Sequence, residues 1–252
     1  MADSIKRHIT RRKSLQIEEA DDYVAVEQVL RLSINGKEVL NLYCTPTMVR
    51  ELVVGFCMTE EIVKGKICID DMTIQYGKEI TVDIPATGEV NADGFTITSG
   101  CLGGITFNRK KNIQKITDPF AIRAASLKAN FEEFRQKADL FKLTGCVHSA
   151  ALSDAQKILI FTEDIGRHNA VDKVIGTAII EGIVFSKKIM LVSGRLSSEM
   201  AYKCALWGIP ILASRTAPTD LAVRIAEDAG LTLIGFVRGD RMNIYTNPQR
   251  II

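Results

Sequence analysis

The stretch QKILIFTEDIGRHNAVDKVIGTAIIEGIVFSKKIMLVSG, Gln156 to Gly194, decides the fold class. QKILIFTED is a short apolar run and reads as a strand, whereas RHNAVDKVIGTAIIEG carries apolar residues at helical spacing and stops at Gly182. KKIMLVSG returns to a strand. The alternation continues downstream: SSEMAYKCALWG predicts a helix, IPILASR a strand, PTDLAVRIAEDAG a helix ending at Gly230, and LTLIGFV a strand. Strands and helices joined by short connections predict an α/β domain with a mostly parallel sheet covered by helices. The chain closes with GFVRGDRMNIYTNP, in which Gly239-Asp240 predict a reversal into an antiparallel edge strand.

The first half is patterned differently. DYVAVEQVLRLSINGKEVLNLYCT alternates apolar and polar residues on both sides of Asn35-Gly36, a strong hairpin signal. TMVRELVVGFCMTEEIV has helical spacing, with Thr45 or Thr47 expected as its N-cap. ICIDDMTIQYGKEITVDIP resumes strand alternation, broken at Tyr76-Gly77. FNRKKNIQKITDP, from Phe107 to Pro119, is polar and basic and reads as a linker before a helix, SLKANFEEFRQKADLF. The expected organisation is a small α+β unit over residues 1–110, ending in the loop that holds Cys101, then an α/β domain over residues 111–252.

Bulk composition excludes more than it selects. A chain of 252 residues with 46% hydrophobic and 25% charged residues is that of a globular protein, and a net charge of +2 is too small to argue for nucleic acid. LTLIGFV and LVVGFCM are far shorter than the ~18 apolar residues a membrane helix needs. MADSIKRHITRRKS is basic but LQIEEADD follows it instead of an apolar segment, so no secretory signal is read and the expected location is the cytoplasm. KRHITRRK itself reads as a solvated tail.

The six cysteines have no C-x-x-C pair among them, which argues against a structural zinc or iron–sulfur site, and in a reducing compartment disulfides are not expected. Cys57 and Cys204 lie in apolar helical patterns and read as core, as do Cys44, Cys68 and Cys146 at strand-like positions. Cys101 stands apart: in TSGCLGG it has glycine neighbours and no apolar periodicity.

In open α/β sheets, ligands bind at the carboxyl ends of the strands, where helix N-termini present free N–H groups. The loops at those ends are TEDIGRHN, SGRLSS and SRTAPT, holding Asp164, Arg167, His168, Arg195 and Arg215, a set suited to phosphates and a purine or pterin ring. The plainer alternative is that Ser197, Thr216 and Thr219 cap helices and the arginines are solvated.

GCVHSAAL, EDIGRHNAVDKVIG, SGRLSSEM, APTDLAV and LIGFVRGDRMNIYT resemble the successive motifs of the formate dehydrogenase accessory (FdhD) sulfurtransferase family. The resemblance runs from GFCMTEEIV to the C-terminus. It implies a cytoplasmic homodimer whose C-terminal domain is a three-layer, cytidine-deaminase-like α/β fold. It also implies a sulfur carrier that takes sulfur from a cysteine desulfurase as a persulfide. The acceptor is the molybdenum cofactor, Mo-bis(molybdopterin guanine dinucleotide), before its insertion into formate dehydrogenase; neither nucleic acid nor membrane is an expected partner. The carrier thiol aligns to Cys101, and the family's cofactor contacts align to Phe236, Val237, Arg238, Gly239, Asp240 and Arg241, to which the sheet-end loops add Arg167, His168 and Arg195.

A thiol that visits two partners belongs on a glycine-flanked loop, and Arg109, Lys110 and Lys111 could favour its thiolate or dock an acidic surface. The departure is Gly104, which stands where the family commonly has the second cysteine of a C-x-x-C. A single persulfide suffices chemically for transfer, so a one-cysteine carrier stands beside a cofactor chaperone that transfers no sulfur. A zinc deaminase is excluded, because VHSA lacks the glutamate of H-x-E and there is no P-C-x-x-C. His148 is expected to be a hydrogen-bonded core or site-lining residue, and His168 to hydrogen-bond a phosphate or a base.

Overall fold

The computed structural model describes residues 2–90, 95–98, 104–107 and 113–252, with only the backbone described at 95–98 and 104–107. Cys101, Arg109, Lys110 and Lys111 lie outside the described residues.

The chain opens with an antiparallel ribbon in which β1 (Ser4–Lys13) pairs with β2 (Gln16–Ala25). The basic segment expected as a solvated tail is therefore a strand. What organises it is the acidic segment that follows: Lys6 lies 2.7 Å from Asp21 and Lys13 3.5 Å from Glu18 across the ribbon. The side chains nonetheless stay in solvent, with Leu15 at the tip 91% exposed.

Next come β3 (Gln28–Ile34) and β4 (Lys37–Cys44), joined at Asn35 and Gly36 with φ of 53° and 75°, the paired left-handed turn that Asn-Gly favours. Helix α1 (Val49–Thr59), β5 (Val63–Lys64), β6 (Thr73–Tyr76), β7 (Ile80–Ile84) and β8 (Glu89–Val90) follow, and the four-stranded sheet runs β4-β3-β7-β6. β5 pairs with β8, and β9 (Phe95–Thr98) with β10 (Gly104–Phe107). The N-cap of α1 is Met48, left-handed at φ 53°, and neither threonine caps it. Thr45 is engaged elsewhere: its Oγ1 accepts from Ile165 N at 3.1 Å.

The expected single helix after the linker is two, α2 (Ala124–Gln136) and α3 (Asp139–Thr144), separated at Ala138, whose ψ of 66° leaves the helical region. The Glu163 carboxylate accepts from Leu140 N and Phe141 N at 2.9 and 3.0 Å, which fixes the start of the second piece.

The remaining elements are β11 (His148–Ser153), β12 (Ile158–Asp164), α4 (Arg167–Ile180), β13 (Ile189–Val192), α5 (Ser198–Leu206), β14 (Ile211–Ser214), α6 (Asp220–Ala229), β15 (Thr232–Arg238) and β16 (Arg241–Ile244). They form a sheet in the order β12-β11-β13-β14-β15-β16. Parallel pairing is confined to β13-β14 and β14-β15, so the mostly parallel sheet expected is a mixed one. The reason is local. Asp154 Oδ1 accepts from Gln156 N and Lys157 N and closes a tight turn, and a turn that short can join β11 to β12 only antiparallel. The closing antiparallel edge strand is present as β16.

Alternation along the strands makes three layers. Met190 and Val192 face α4, α5 and α6, whereas Ile189 and Leu191 face Leu127, Phe131 and Phe134 of α2. Helix α1 lies directly on α4. A Cβ at Gly55 would sit 1.9 Å from Asp172 O and one at Gly176 1.9 Å from Glu51 O, so only glycine permits this approach. Buried charges cross the same boundary. Lys203 Nζ meets Asp172 at 2.6 Å and Glu60 at 3.1 Å, while Thr59 Oγ1 donates to Asp172 at 2.8 Å.

Candidate functional site at the carboxyl edge

The ends of β12, β13, β14 and β15 and the starts of β11 and β16 lie along one edge of the six-stranded sheet. At the β12 end, buried Asp164 pairs with Lys173 at 2.7 Å and accepts from Thr45 N, Gly166 N and Asn169 Nδ2 at 3.1, 2.8 and 2.9 Å. The loop that presents Arg167 and His168 is thus held from within. Arg167 is 6% exposed and packs beneath Gly194, where a Cβ would lie 3.2 Å from its own Cβ and Cδ and 3.3 Å from His148 Nδ1. His148 Nδ1 in turn stands 3.4 Å from Ser193 Oγ, and Arg195 is exposed beside them.

Both histidines are biased toward the neutral form. Burial pushes His148 below its ordinary value, and the Arg167 and Arg195 charges add to that. His168 is pushed down to about 3, first by burial and then by Lys203 and Arg167; its Nε2 lies 4.0 Å from Glu199 Oε2. A neutral imidazole at the start of α4 acts as a hydrogen-bonding group rather than as a cation.

The other end of the edge is open. Ser214 Oγ and Thr216 Oγ1 each donate to Gly194 O at 2.7 Å, tying the loop after β14 to the loop after β13. Arg238 Nε donates to Arg215 O at 3.1 Å. Phe236 has φ 54°, an uncommon conformation for a residue with a Cβ, and the β15–β16 register shifts between Gly235 and Arg238. The Arg241 guanidinium lies over the Phe236 ring, 5.4 Å from its centroid, and Gly239 turns the chain at φ 53°. Arg215 is held below its usual range by burial, then by the neighbouring Arg135 and Arg238 charges.

The structure therefore brings Arg167, His168, His148 and Arg195 together at one end, and Phe236, Arg215, Arg238 and Arg241 at the other. Val237 differs, for it lies in the core among Ile234 and Ala213. Asp240 is exposed and paired with Lys128 at 3.0 Å. The capping expectation holds for Thr219, which accepts from Ala222 N at 3.3 Å, but Ser197 makes no side-chain cap and Thr216 is used by Gly194. Sequence patterns did not single out Lys173, Lys203, Glu163 or Arg135, each of which helps to shape this edge.

Among the described cysteines, Cys44, Cys57 and Cys204 are buried as expected, and burial pushes Cys44 and Cys57 up to about 12. Cys68 is half-buried. Cys146 is exposed instead of core, because Val147, its neighbour entering β11, takes the inward position.

A three-layer α/β protein with a cationic sheet edge suited to an anionic ligand is the class these features define. The chain belongs to the FdhD/NarQ family, whose pattern matches residues 25–252. It is 36% identical to the sulfur carrier protein FdhD of Bacillus pumilus over 253 residues, covering 98% of this chain and 97% of that protein. Identity to the protein of that name from Wolinella succinogenes is 37% over 242 residues, with 92% and 84% covered. Among solved structures, a protein from Desulfotalea psychrophila described as a formate dehydrogenase accessory protein superposes with a TM-score of 0.80 at 26% identity, over 99% of each chain. No helix among the described residues is long and apolar enough to cross a membrane.

Proposed function

We propose that the protein is a sulfur carrier in formate dehydrogenase maturation, with Cys101 as the carrier thiol. The observation that carries this reading is the near full-length similarity to proteins named as sulfur carriers. The Cys101 thiolate attacks the outer sulfur of a desulfurase persulfide; that sulfur moves to Cys101 and the desulfurase cysteine leaves as a thiolate. In the second step the S–S bond at Cys101 breaks, Cys101 leaves as a thiolate and the outer sulfur passes to the substrate, Mo-bis(molybdopterin guanine dinucleotide), with the two electrons that take it to sulfide coming from that acceptor or from an outside thiol. With Gly104 in place of a neighbouring cysteine, discharge falls to the acceptor or to an outside thiol.

The cofactor lies along the carboxyl edge in this proposal. Arg215, Arg238 and Arg241 meet phosphate through their planar forks, while Gly239 and the Phe236 backbone allow close approach. Arg167, His168 and Arg195 serve the other end, His168 as a neutral hydrogen-bonding group. A cytoplasmic homodimer with a cytidine-deaminase-like C-terminal domain belongs to the same reading, and the order β12-β11-β13-β14-β15 with β11 reversed supports the fold.

Intact-protein mass spectrometry after incubation with a cysteine desulfurase and cysteine tests the carrier step. Wild type is expected to gain one sulfur that reductant removes, and Cys101→Ala to gain none; Cys146→Ala, which removes an exposed thiol, is expected to behave as wild type. An unchanged gain in Cys101→Ala would overturn the assignment of the thiol. The second reading, a cofactor chaperone without sulfur transfer, is favoured by Gly104 alone, and would follow if no variant gained sulfur while cofactor binding persisted.

A further inference from the structure

Helix α2 precedes the six-stranded sheet in the chain, yet it contributes to the open end of the edge. Its inward face buries Leu127, Phe131 and Phe134. One residue beyond each, Lys128, Glu132 and Arg135 form an adjoining stripe, since steps of three and four return to one helix face. The Lys128 bond to Asp240 at 3.0 Å fixes the direction of that stripe: it looks toward the turn that carries Arg238, Gly239 and Arg241. Lys128 and Arg135 are two turns apart, about 10 Å along the axis, so Arg135 lies further along the same wall.

We propose that Arg135 completes a three-arginine clamp with Arg215 and Arg238 for the diphosphate of a nucleotide, and that Lys128 holds Asp240 away from that anion. The proposal rests on the reading of the carboxyl edge as a nucleotide-cofactor site. Arg238 Nε is bonded to the Arg215 backbone oxygen at 3.1 Å, and its charge is felt at the Arg215 guanidinium. Arg135 adds a third charge felt by Arg215, and Glu132 offsets part of this crowding. Glu132 Oε2 is 3.0 Å from Arg135 Nη1 in an exposed i,i+3 pair, and such pairs are weak. A diphosphate displaces that carboxylate readily and relieves the repulsion among the three cations. Asp240, the one acid in the Arg-Gly-Asp-Arg turn, opposes an anion, and Lys128 at 3.0 Å offsets part of its charge.

Calorimetric titration of the full chain with guanosine 5′-diphosphate, inorganic pyrophosphate and guanosine tests this. Arg135→Ala is expected to weaken both diphosphates about ten- to thirty-fold, the contribution of one charge-assisted bond, and to leave guanosine unchanged. Arg135→Lys recovers part of the loss, because charge returns without the fork. Glu132→Gln tightens the diphosphates, and Lys157→Ala, in the β11–β12 turn at the opposite edge of the sheet, leaves them as in wild type. If Arg135→Ala binds as wild type while Arg238→Ala is weakened, the clamp is wrong and the cofactor edge stands. If wild type binds neither diphosphate, or Arg238→Ala and Arg135→Ala both match it, clamp and edge fall together.

Discussion

The two ends of one sheet edge are built on opposite principles. Near the β12 end the buried carboxylates are matched by buried lysines: Asp164 has Lys173, and Asp172 and Glu60 share Lys203, all beneath the roof that α1 lays on α4. At the β14–β15 end three arginines crowd together with Glu132 and Asp240 as the nearby acids. The closed end spends its charge on holding loops in place; the open end leaves charge for something from outside. Burial explains the contrast, because an unpaired charge is tolerable only where water or a ligand can reach it.

The largest expected effect breaks the closed end. Lys203→Met leaves Asp172 and Glu60 buried without their cation and should lower unfolding free energy by about 3–5 kcal/mol, read from denaturant titration. Replacing Asp172 by leucine and Glu60 by glutamine in the same chain should recover much of that loss. A single-variant loss below about 1 kcal/mol would show that the network is not dry.

Gly176→Ala comes next. Its Cβ would meet Glu51 O at 1.9 Å, so α1 must lift from α4, at a cost of about 1–3 kcal/mol. Raised hydrogen exchange in both helices is the expected signature, and exchange confined to α4 would contradict the shared boundary.

Acid should find the closed end before the open one. The neutral form of His168 is favoured in the fold, so the unfolded chain binds more protons below the ordinary histidine value. Stability is then present above about pH 6.5 and falls as pH drops toward 3, by about 1.4 kcal/mol per unit for this group. His168→Gln should flatten melting temperature against pH over that window; an unchanged slope would place the acid sensitivity elsewhere.

The smallest effect separates two helix starts along the edge. Thr219→Ala should cost about 1 kcal/mol through its lost cap, while Ser197→Ala should cost close to nothing, since that hydroxyl caps no N–H of α5. Equal losses in the two variants would remove the distinction.

Periodicity made much of the fold legible. Asn35-Gly36 gave the hairpin, the apolar runs gave β12 to β15, and the motifs from Glu163 to Arg241 placed the edge. What stayed hidden depends on non-local pairing. HSAALS carries no sign of its direction, which the Asp154 turn sets, so the mixed sheet could not be read. Basic KRHITRRK looks like a tail until it meets EEADD. Lys173 and Lys203 sit in helical patterns and pass as surface charges, although both are buried, Lys173 against Asp164 and Lys203 against Asp172 and Glu60. Arg135 lies far in sequence from the motifs whose edge it joins.

The most direct test is formate dehydrogenase activity in a bacterium deleted for its own member of this family and supplied with this chain. Wild type should restore activity, while Cys101→Ala, which removes the proposed carrier thiol, and Arg238→Ala, which opens the proposed clamp, should each fail at wild-type abundance and melting temperature. Full activity from Cys101→Ala would contradict the account.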